Sequence, residues 1–211
     1  MVKTRIIRDD FKVFLRHAVN NTFLLRKQLA KKRKIHFGSG SDIKDGFINV
    51  DFNSRADIFL DVRNKLNIPD NTIEYIYSSH FIEHLEHDDL IAHLCECHRI
   101  LMPRGVVRLG VPDFPNVFRK YCAQDKEFLE EHRNALSEKF ERPANMICAM
   151  DLVNRAVYEF GQHKICLDME KISNLLIISG FSPSAISSKE FDPQIDVSSR
   201  REFTFFVEAT K

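Results

Sequence analysis

The chain contains no tryptophan, and its 7 glycines and 7 prolines among 211 residues are about half the usual share. That scarcity, with 44% hydrophobic residues, excludes a disordered, collagen-like or low-complexity protein. Five cysteines (Cys95, Cys97, Cys122, Cys148, Cys166) form no even framework and no C-x-x-C pair, and no signal-peptide pattern opens the chain, so a reducing cytosol is expected. No apolar run approaches the roughly 20 residues of a membrane-spanning helix, which limits any membrane contact to the periphery. Charge is nearly balanced at +1, but unevenly placed. Residues 1–34 hold eleven Lys/Arg against Asp9 and Asp10, a surplus of +9, which leaves −8 for the rest.

What is present reads as one domain behind a basic arm, divided as 1–33 and 34–211. Phe11, Phe14, Leu15, Ala18 and Val19, then Leu24, Leu25 and Leu29, mark one broken or two short amphipathic helices in the arm. From Lys34 the pattern changes to short β-like runs, "KIHFG", "GFINVD", "ADIFLDV", "TIEYIYSS" and "GVVRLGVP". Their alternation with polar or helical stretches predicts an α/β fold with a mainly parallel sheet covered on both faces. "DDLIAHLCECHRILM" predicts a helix capped by Asp88 or Asp89, burying Leu90, Ile91, Leu94, Cys97, His98 and Leu101, and ended by Pro103 and Gly105. Residues 114–160 carry helical periodicity without a strand signal, as expected of an insertion shaping an acceptor pocket, with Phe114, Phe118 and Phe128 as candidate lining. "DMEKISNLLIISG" predicts another helix closed by Gly180, and "AISSKEF" and "EFTFFVEAT" predict a terminal β pair.

The chemistry starts at "IHFGSGSDIKDGFINVD". Gly38-Ser39-Gly40 after a strand lets the backbone bend and present amide groups to an anion. Asp51, ending the next strand, can accept both hydroxyls of a ribose. Ile43 stands where the dinucleotide fingerprint wants glycine, and Asp51 lies closer than that fingerprint's acid, so NAD is disfavoured.

The ordered series "IHFGSG…GFINVD…DIFLDV…IPDNTIEYIYSSHFIEHL…HRILMPRGVVRLGVPDF" resembles the class I S-adenosylmethionine-dependent methyltransferases of the type 11 group, in particular members associated with glycan and lipopolysaccharide biosynthesis. The resemblance is strong over about Lys34 to Phe114 and looser from Phe160 to Lys211. It implies a Rossmann-like seven-stranded sheet with an antiparallel last strand. It also implies S-adenosylmethionine as cofactor and S-adenosylhomocysteine as product. Carried over by position, Gly38, Ser39 and Gly40 lie against the methionine part, Asp51 holds the ribose and Phe52 sits beside the adenine. Asp61 and Val62 fall at the adenine edge, and Ser78, Ser79 and His80 face the methyl group. Two departures stand out. His36 replaces the acid two places before the first glycine, and only Ser41 to Gly46 separate the turn from the next strand, too few for a full crossover helix.

Methyl transfer to a small-molecule or carbohydrate acceptor, oxygen preferred over nitrogen, is the expected reaction. His80 and His163, in "FGQHK", are the candidate general bases, since imidazole is poised near neutral pH. A second reading is a binding or regulatory protein that keeps the fold without turnover. A third takes "HFIEH" as H-x-x-E-H, a zinc hydrolase or, with His87, a metal-assisted transferase. The nucleoside-sheet context favours no metal, with Glu83 and His84 packing a helix start. Cys95 and Cys97, two apart on a helix, point to different faces and read as core thiols rather than a metal pair. The basic arm is read as docking on the acidic body or lying on an anionic membrane at the inner face. Nucleic acid is disfavoured, because no recognition module accompanies it.

Overall fold

The structure is a computed structural model that describes residues 23–53, 55–128, 130–131 and 148–211. The stripe from Phe11 to Val19 lies outside the described residues. The described part of the arm forms helix α1 (Leu25–Leu29), which sinks Leu25 and Leu29 into the core while Leu24 stays exposed. Lys32 continues the docking, with its ammonium on the Phe47 carbonyl at 2.6 Å and on Asp57 at 3.4 Å.

Seven strands make a single sheet: β1 (Lys34–Phe37), β2 (Phe47–Asp51), β3 (Ile58–Phe59), β4 (Ile73–Ser79), β5 (Leu101–Pro112), β6 (Ile186–Lys189) and β7 (Thr204–Thr210). The spatial order is β3-β2-β1-β4-β5-β7-β6. β3, β2, β1, β4 and β5 pair in parallel, and β7 runs antiparallel between β5 and β6. The terminal β pair and the antiparallel last strand follow the sequence expectation. Register sets the site: Phe37 lies opposite Val50 on one side and Ser78 on the other, so the carboxyl ends of β1, β2 and β4 finish side by side. In open α/β sheets ligands bind at such an edge, where the chain order reverses.

Helix α2 (His87–Ile100) connects β4 to β5 and buries Leu90, His93, Leu94, Cys97 and Ile100, an i, i+3, i+4, i+7 stripe. Its boundaries correct the expectation at both ends. Glu86, extended at φ −63° and ψ 157°, precedes the first turn, so Asp88 and Asp89 sit inside that turn, where carboxylates favour the helix dipole. At the other end Leu101 turns extended and opens β5 directly, with Pro103 and Gly105 inside the strand. Cys97 is a core thiol, but Cys95 is exposed, because the two-residue spacing puts it on the other side of the helix.

Two more corrections concern the sheet. "ADIFLDV" yields only Ile58 and Phe59 as strand, since Asp57 turns aside to Asn49 and Lys32. The connections from β1 to β2, β2 to β3 and β3 to β4 contain no helix among the described residues, so the expected two-sided cover is incomplete there. Beyond β5 lie α3 (Phe114–Cys122), α4 (Ala149–Tyr158) and α5 (Met169–Ile178). Within 114–160, Phe114–Cys122 and Ala149–Tyr158 are helical, and residues 129 and 132–147 lie outside the described residues. Asp113 caps α3 through the Asn116 amide and Asp168 caps α5 through the Lys171 amide.

A buried ion cluster sits on the sheet. Arg108 of β5 is 3% exposed, and its guanidinium donates to Asp196 (Nε to Oδ1, 2.9 Å), to Glu208 at 3.0 Å and to the Glu190 carbonyl at 2.7 Å. It links β5, β7 and the segment joining β6 to β7.

Candidate active site

At the end of β1, Gly38 (φ 65°) and Gly40 (φ 54°) both take the left-handed conformation that glycine tolerates. The Gly38 amide donates to the Val50 carbonyl at 2.9 Å, and the Gly40 amide donates to Asp51 Oδ2 at 2.8 Å. Asn53 returns its side-chain amide to the Gly40 carbonyl at 2.8 Å. The turn and the acid that ends β2 are thus tied together. In place of a crossover helix, Asp42 donates its amide to the Ser39 carbonyl at 2.8 Å, a tight turn that fits the short link.

Several of the remaining residues gather at the same edge. The Ser39 and Ser78 hydroxyls are buried without a hydrogen-bond partner among the described residues. Ser79 is buried, and its carbonyl accepts from Arg200 Nη1 at 2.7 Å. Phe52 is 49% exposed, with its ring 5.2 Å from that of Phe59. Asp61 is gripped by Arg63, Nη2 to Oδ2 at 2.7 Å, and Val62 is buried as part of the hydrophobic core. His36 is 1% exposed, its ring 4.9 Å from that of Tyr77. Burial first, and then the nearby Lys44 ammonium, hold its pKa down to about 4, so at neutral pH it supplies no charge where the resemblance expects an acid.

The donor set suits S-adenosylmethionine. Gly40 leaves room for close approach, with nothing within 4 Å of a Cβ placed on it, and two buried hydroxyls beside a strand-end carboxylate lack partners among the described residues. Lys44, which pairs with Asp42 at 2.8 Å, and Arg200 bring positive charge to this edge.

His80 follows β4 with φ 50°, a conformation costly for a side-chain-bearing residue and typical of functional sites. Its amide donates to the Gly110 carbonyl at 2.9 Å, and its Nε2 lies 2.7 Å from Thr204 Oγ1. The Thr204 hydroxyl already donates to the Arg200 carbonyl at 2.6 Å, so His80 Nε2 must donate to it and Nδ1 carries the lone pair.

The "HFIEH" segment does not start a helix. Ile82–His84 is a 3-10 turn, and the left-handed backbone of His80 keeps His80 and His84 off one helical face, against both the zinc-peptidase geometry and the helix-start reading. Glu83 is fully buried, and burial pushes its pKa up to about 7. His163 is buried too. Its Nδ1 lies 2.7 Å from the Ala156 carbonyl, and its Nε2 3.1 Å from Glu159 and 4.0 Å from Glu83 Oε1. Burial works against a charged His163, but its hydrogen bonds to Glu159 and Ala156 outweigh this and raise its pKa. Phe114 is buried with its ring 5.8 Å from His163, Phe118 is half exposed, and Phe128 packs on Phe203 at 6.2 Å.

Sequence reading missed Arg200 and Thr204, which lie about 120 residues from the strand tip they support, and the approach of His163 to Glu83. Only the pairing of β7 beside β5 brings Thr204 there, with Thr204 opposite Pro112. No local spacing could have signalled it.

Residues 35–109 match the family described as a methyltransferase domain. Among curated proteins none matches the chain. An S-adenosylmethionine-dependent methyltransferase of Archaeoglobus fulgidus is similar in structure, with TM-score 0.52 at 16% identity, over 93% of this chain and 94% of that one. A second, from Thermotoga maritima and described as a possible histamine N-methyltransferase, has TM-score 0.50 at 17% identity, over 98% and 97%. The family match thus lies on the part of the chain that builds β1 to β5, and the fold of the chain is the one these structures share.

Proposed function

We propose that the chain methylates an oxygen of a small-molecule or carbohydrate acceptor, with His80 as general base. Bound S-adenosylmethionine supplies an electrophilic methyl on a sulfonium. The chain's own residues align the acceptor and take up its proton. In this reading Gly38, Ser39 and Gly40 present backbone to the methionine part, Asp51 binds the ribose, and Phe52 with Asp61 and the Val62 backbone borders the adenine. Ser78, Ser79 and His80 face the methyl group. The observation that carries the reading is the strained His80 at the tip of the central strand, its Nε2 held by Thr204 so that Nδ1 is the proton acceptor. His163, buried against Glu83, serves as a positioning residue in this scheme. The acceptor class and the glycan association rest on the resemblance alone.

The test is calorimetry with S-adenosylhomocysteine, followed by methyl-transfer assays over sugar, nucleotide-sugar and small hydroxyl acceptors. Cofactor binding with turnover on a hydroxyl supports the proposal, and turnover confined to amines counts against it. A second reading, cofactor binding without turnover, draws support from Phe81, whose ring stands against Gly38, and from the helix-free link between β1 and β2. Tight binding with no product from any acceptor pool would favour it.

We also propose that the basic segment 1–34 holds the protein to an anionic membrane surface, with α1 anchoring the segment to the domain through Leu25 and Leu29. Co-sedimentation with phosphatidylglycerol vesicles, lost at high salt, is the expected outcome.

A further inference from the structure

Among the described residues, the carboxylate of Glu83 is fully buried and neither of its oxygens accepts a hydrogen bond. Charged groups of this kind are costly to bury unless something pairs with them. What surrounds this one is imidazole: His84 Nε2 at 3.9 Å, His163 Nε2 at 4.0 Å and His80 Nδ1 at 3.9 Å from Oε1. These distances are too long for hydrogen bonds, so among the described residues the carboxylate has imidazole near it but no hydrogen-bond donor on it.

The other nitrogen of each ligating ring shows how the pair is oriented. His84 Nδ1 lies 3.2 Å from the Gln162 carbonyl, and His163 Nδ1 lies 2.7 Å from the Ala156 carbonyl. A carbonyl only accepts, so both Nδ1 atoms carry hydrogen; His84 Nε2 lies 3.9 Å from Glu83, and His163 Nε2 lies 3.1 Å from Glu159 and 4.0 Å from Glu83. Fixing a histidine by donation from its far nitrogen to a backbone carbonyl is the usual outer support of a metal ligand.

We propose that Glu83, His84 and His163 bind a divalent cation of the zinc class, through one carboxylate oxygen and the two Nε2 atoms. The three ligand atoms lie within 4.8 Å of one another. An ion at the centre of such a triangle stands about 2.5 Å or less from each. Closing to the roughly 2.0–2.1 Å of zinc–imidazole and zinc–carboxylate bonds takes an inward shift of about half an ångström. Two imidazoles and one carboxylate suit zinc or cobalt better than magnesium or calcium, which want oxygen. On binding, the hydrogen that His163 Nε2 shares with Glu159, 3.1 Å away, leaves to solvent, and the Glu159 carboxylate remains beside the ion to balance its charge. His84 is the most exposed of the three, with 32% of its side chain accessible, so a fourth position for water opens on that side.

The site joins two distant parts of the chain. Glu83 and His84 belong to the turn after β4, and His163 to the segment after α4, where the Lys164 amide already donates to the Glu83 carbonyl at 2.8 Å. A cation there would pin the end of the helical insertion to the strand tip that carries His80. The inference rests on this cluster and not on the methyl-transfer reading.

The test uses the full chain, stripped with a chelator and titrated with Zn²⁺ against a chromophoric competitor and with Co²⁺ read in the visible. The expected result is one equivalent of either ion, with cobalt d–d bands and no thiolate charge-transfer band. His84→Ala and His163→Ala should each weaken Zn²⁺ at least about a hundredfold, whereas His87→Ala, exposed nearby, should stay within about twofold. Less than one equivalent, a thiolate band, or affinity unmoved in both alanine variants would overturn the proposal. Should an alanine variant fail to fold, proton NMR of the unmodified protein decides. Paramagnetic loss of the His84 and His163 ring signals with Co²⁺ upholds the site, and their persistence overturns it. S-adenosylhomocysteine calorimetry on the same samples reports the cofactor edge separately, so failure of one reading is distinguishable from failure of the other.

Discussion

A Cβ placed on Gly38 would stand 2.4 Å from the ring of Phe81. The same glycine has φ 65°, so an alanine there meets both backbone strain and a ring that must swing away. Gly40, at φ 54°, has nothing within 4 Å of such a Cβ. Gly38→Ala should therefore cost about 2–4 kcal/mol in urea unfolding, and Gly40→Ala only the roughly 1–2 kcal/mol of the left-handed backbone. Equal losses would show that the ring yields freely. Phe81→Ala should restore part of the Gly38→Ala deficit and none of the other.

Asp51 accepts from the Gly40 amide at 2.8 Å and ends the strand beside the turn. If it holds a ribose, Asp51→Ala should weaken S-adenosylhomocysteine about 10- to 100-fold by calorimetry, in keeping with about 1.5–3 kcal/mol for hydrogen bonds to a charged acceptor. Asp51→Asn should fall between. Unchanged affinity in the alanine variant would remove the residue from the cofactor site.

His80→Ala should lower kcat by about 10²- to 10⁴-fold while S-adenosylhomocysteine affinity changes little, as expected when a base is lost and binding is kept. Thr204→Val removes the acceptor that sets the His80 tautomer. A smaller loss in kcat, with an altered pH–rate profile, is the expected signature of a positioning residue.

His36 ties stability to pH. Its folded pKa of about 4 lies below the ordinary value of 6.5, so the unfolded chain takes up the proton first as pH falls. Stability from this group is complete above about pH 6.5 and is lost as pH drops toward 4. Thermal midpoints should decline across that window, and His36→Gln should flatten the decline. An equal slope in the variant would assign it to other groups.

Arg108 and Asp196 lie 88 residues apart in the chain, both essentially buried. Asp196→Ala leaves the buried guanidinium with only Glu208 and the Glu190 carbonyl, and a loss of about 3–5 kcal/mol in chemical unfolding is expected. Replacing Arg108 by Met together with Asp196 by Leu should recover much of it, because desolvating the pair offsets most of its attraction.

The elements legible in the sequence were those governed by neighbours. Apolar periodicity located α2 and α5, and alternating β-branched and aromatic runs located most of the strands. Errors fell where a distant partner decides the local outcome. Asp57, drawn to Lys32 and Asn49, shortens β3 to two residues. Leu101 pairs with Ile73, so the strand begins while the helix pattern still runs. The left-handed His80 turns "HFIEH" out of a helix.

The sequence by itself determined the parallel order of strand and turn, the glycine bend and the acid that follows it, because each depends on residues within a few positions. Only the tertiary structure decided which charges are buried and what faces them. Arg108 meets Asp196, His80 meets Thr204, and Glu83 meets His84 and His163 through contacts spanning up to 124 residues. Their energies depend on the water excluded between them, and that is a property of the packed chain rather than of any segment.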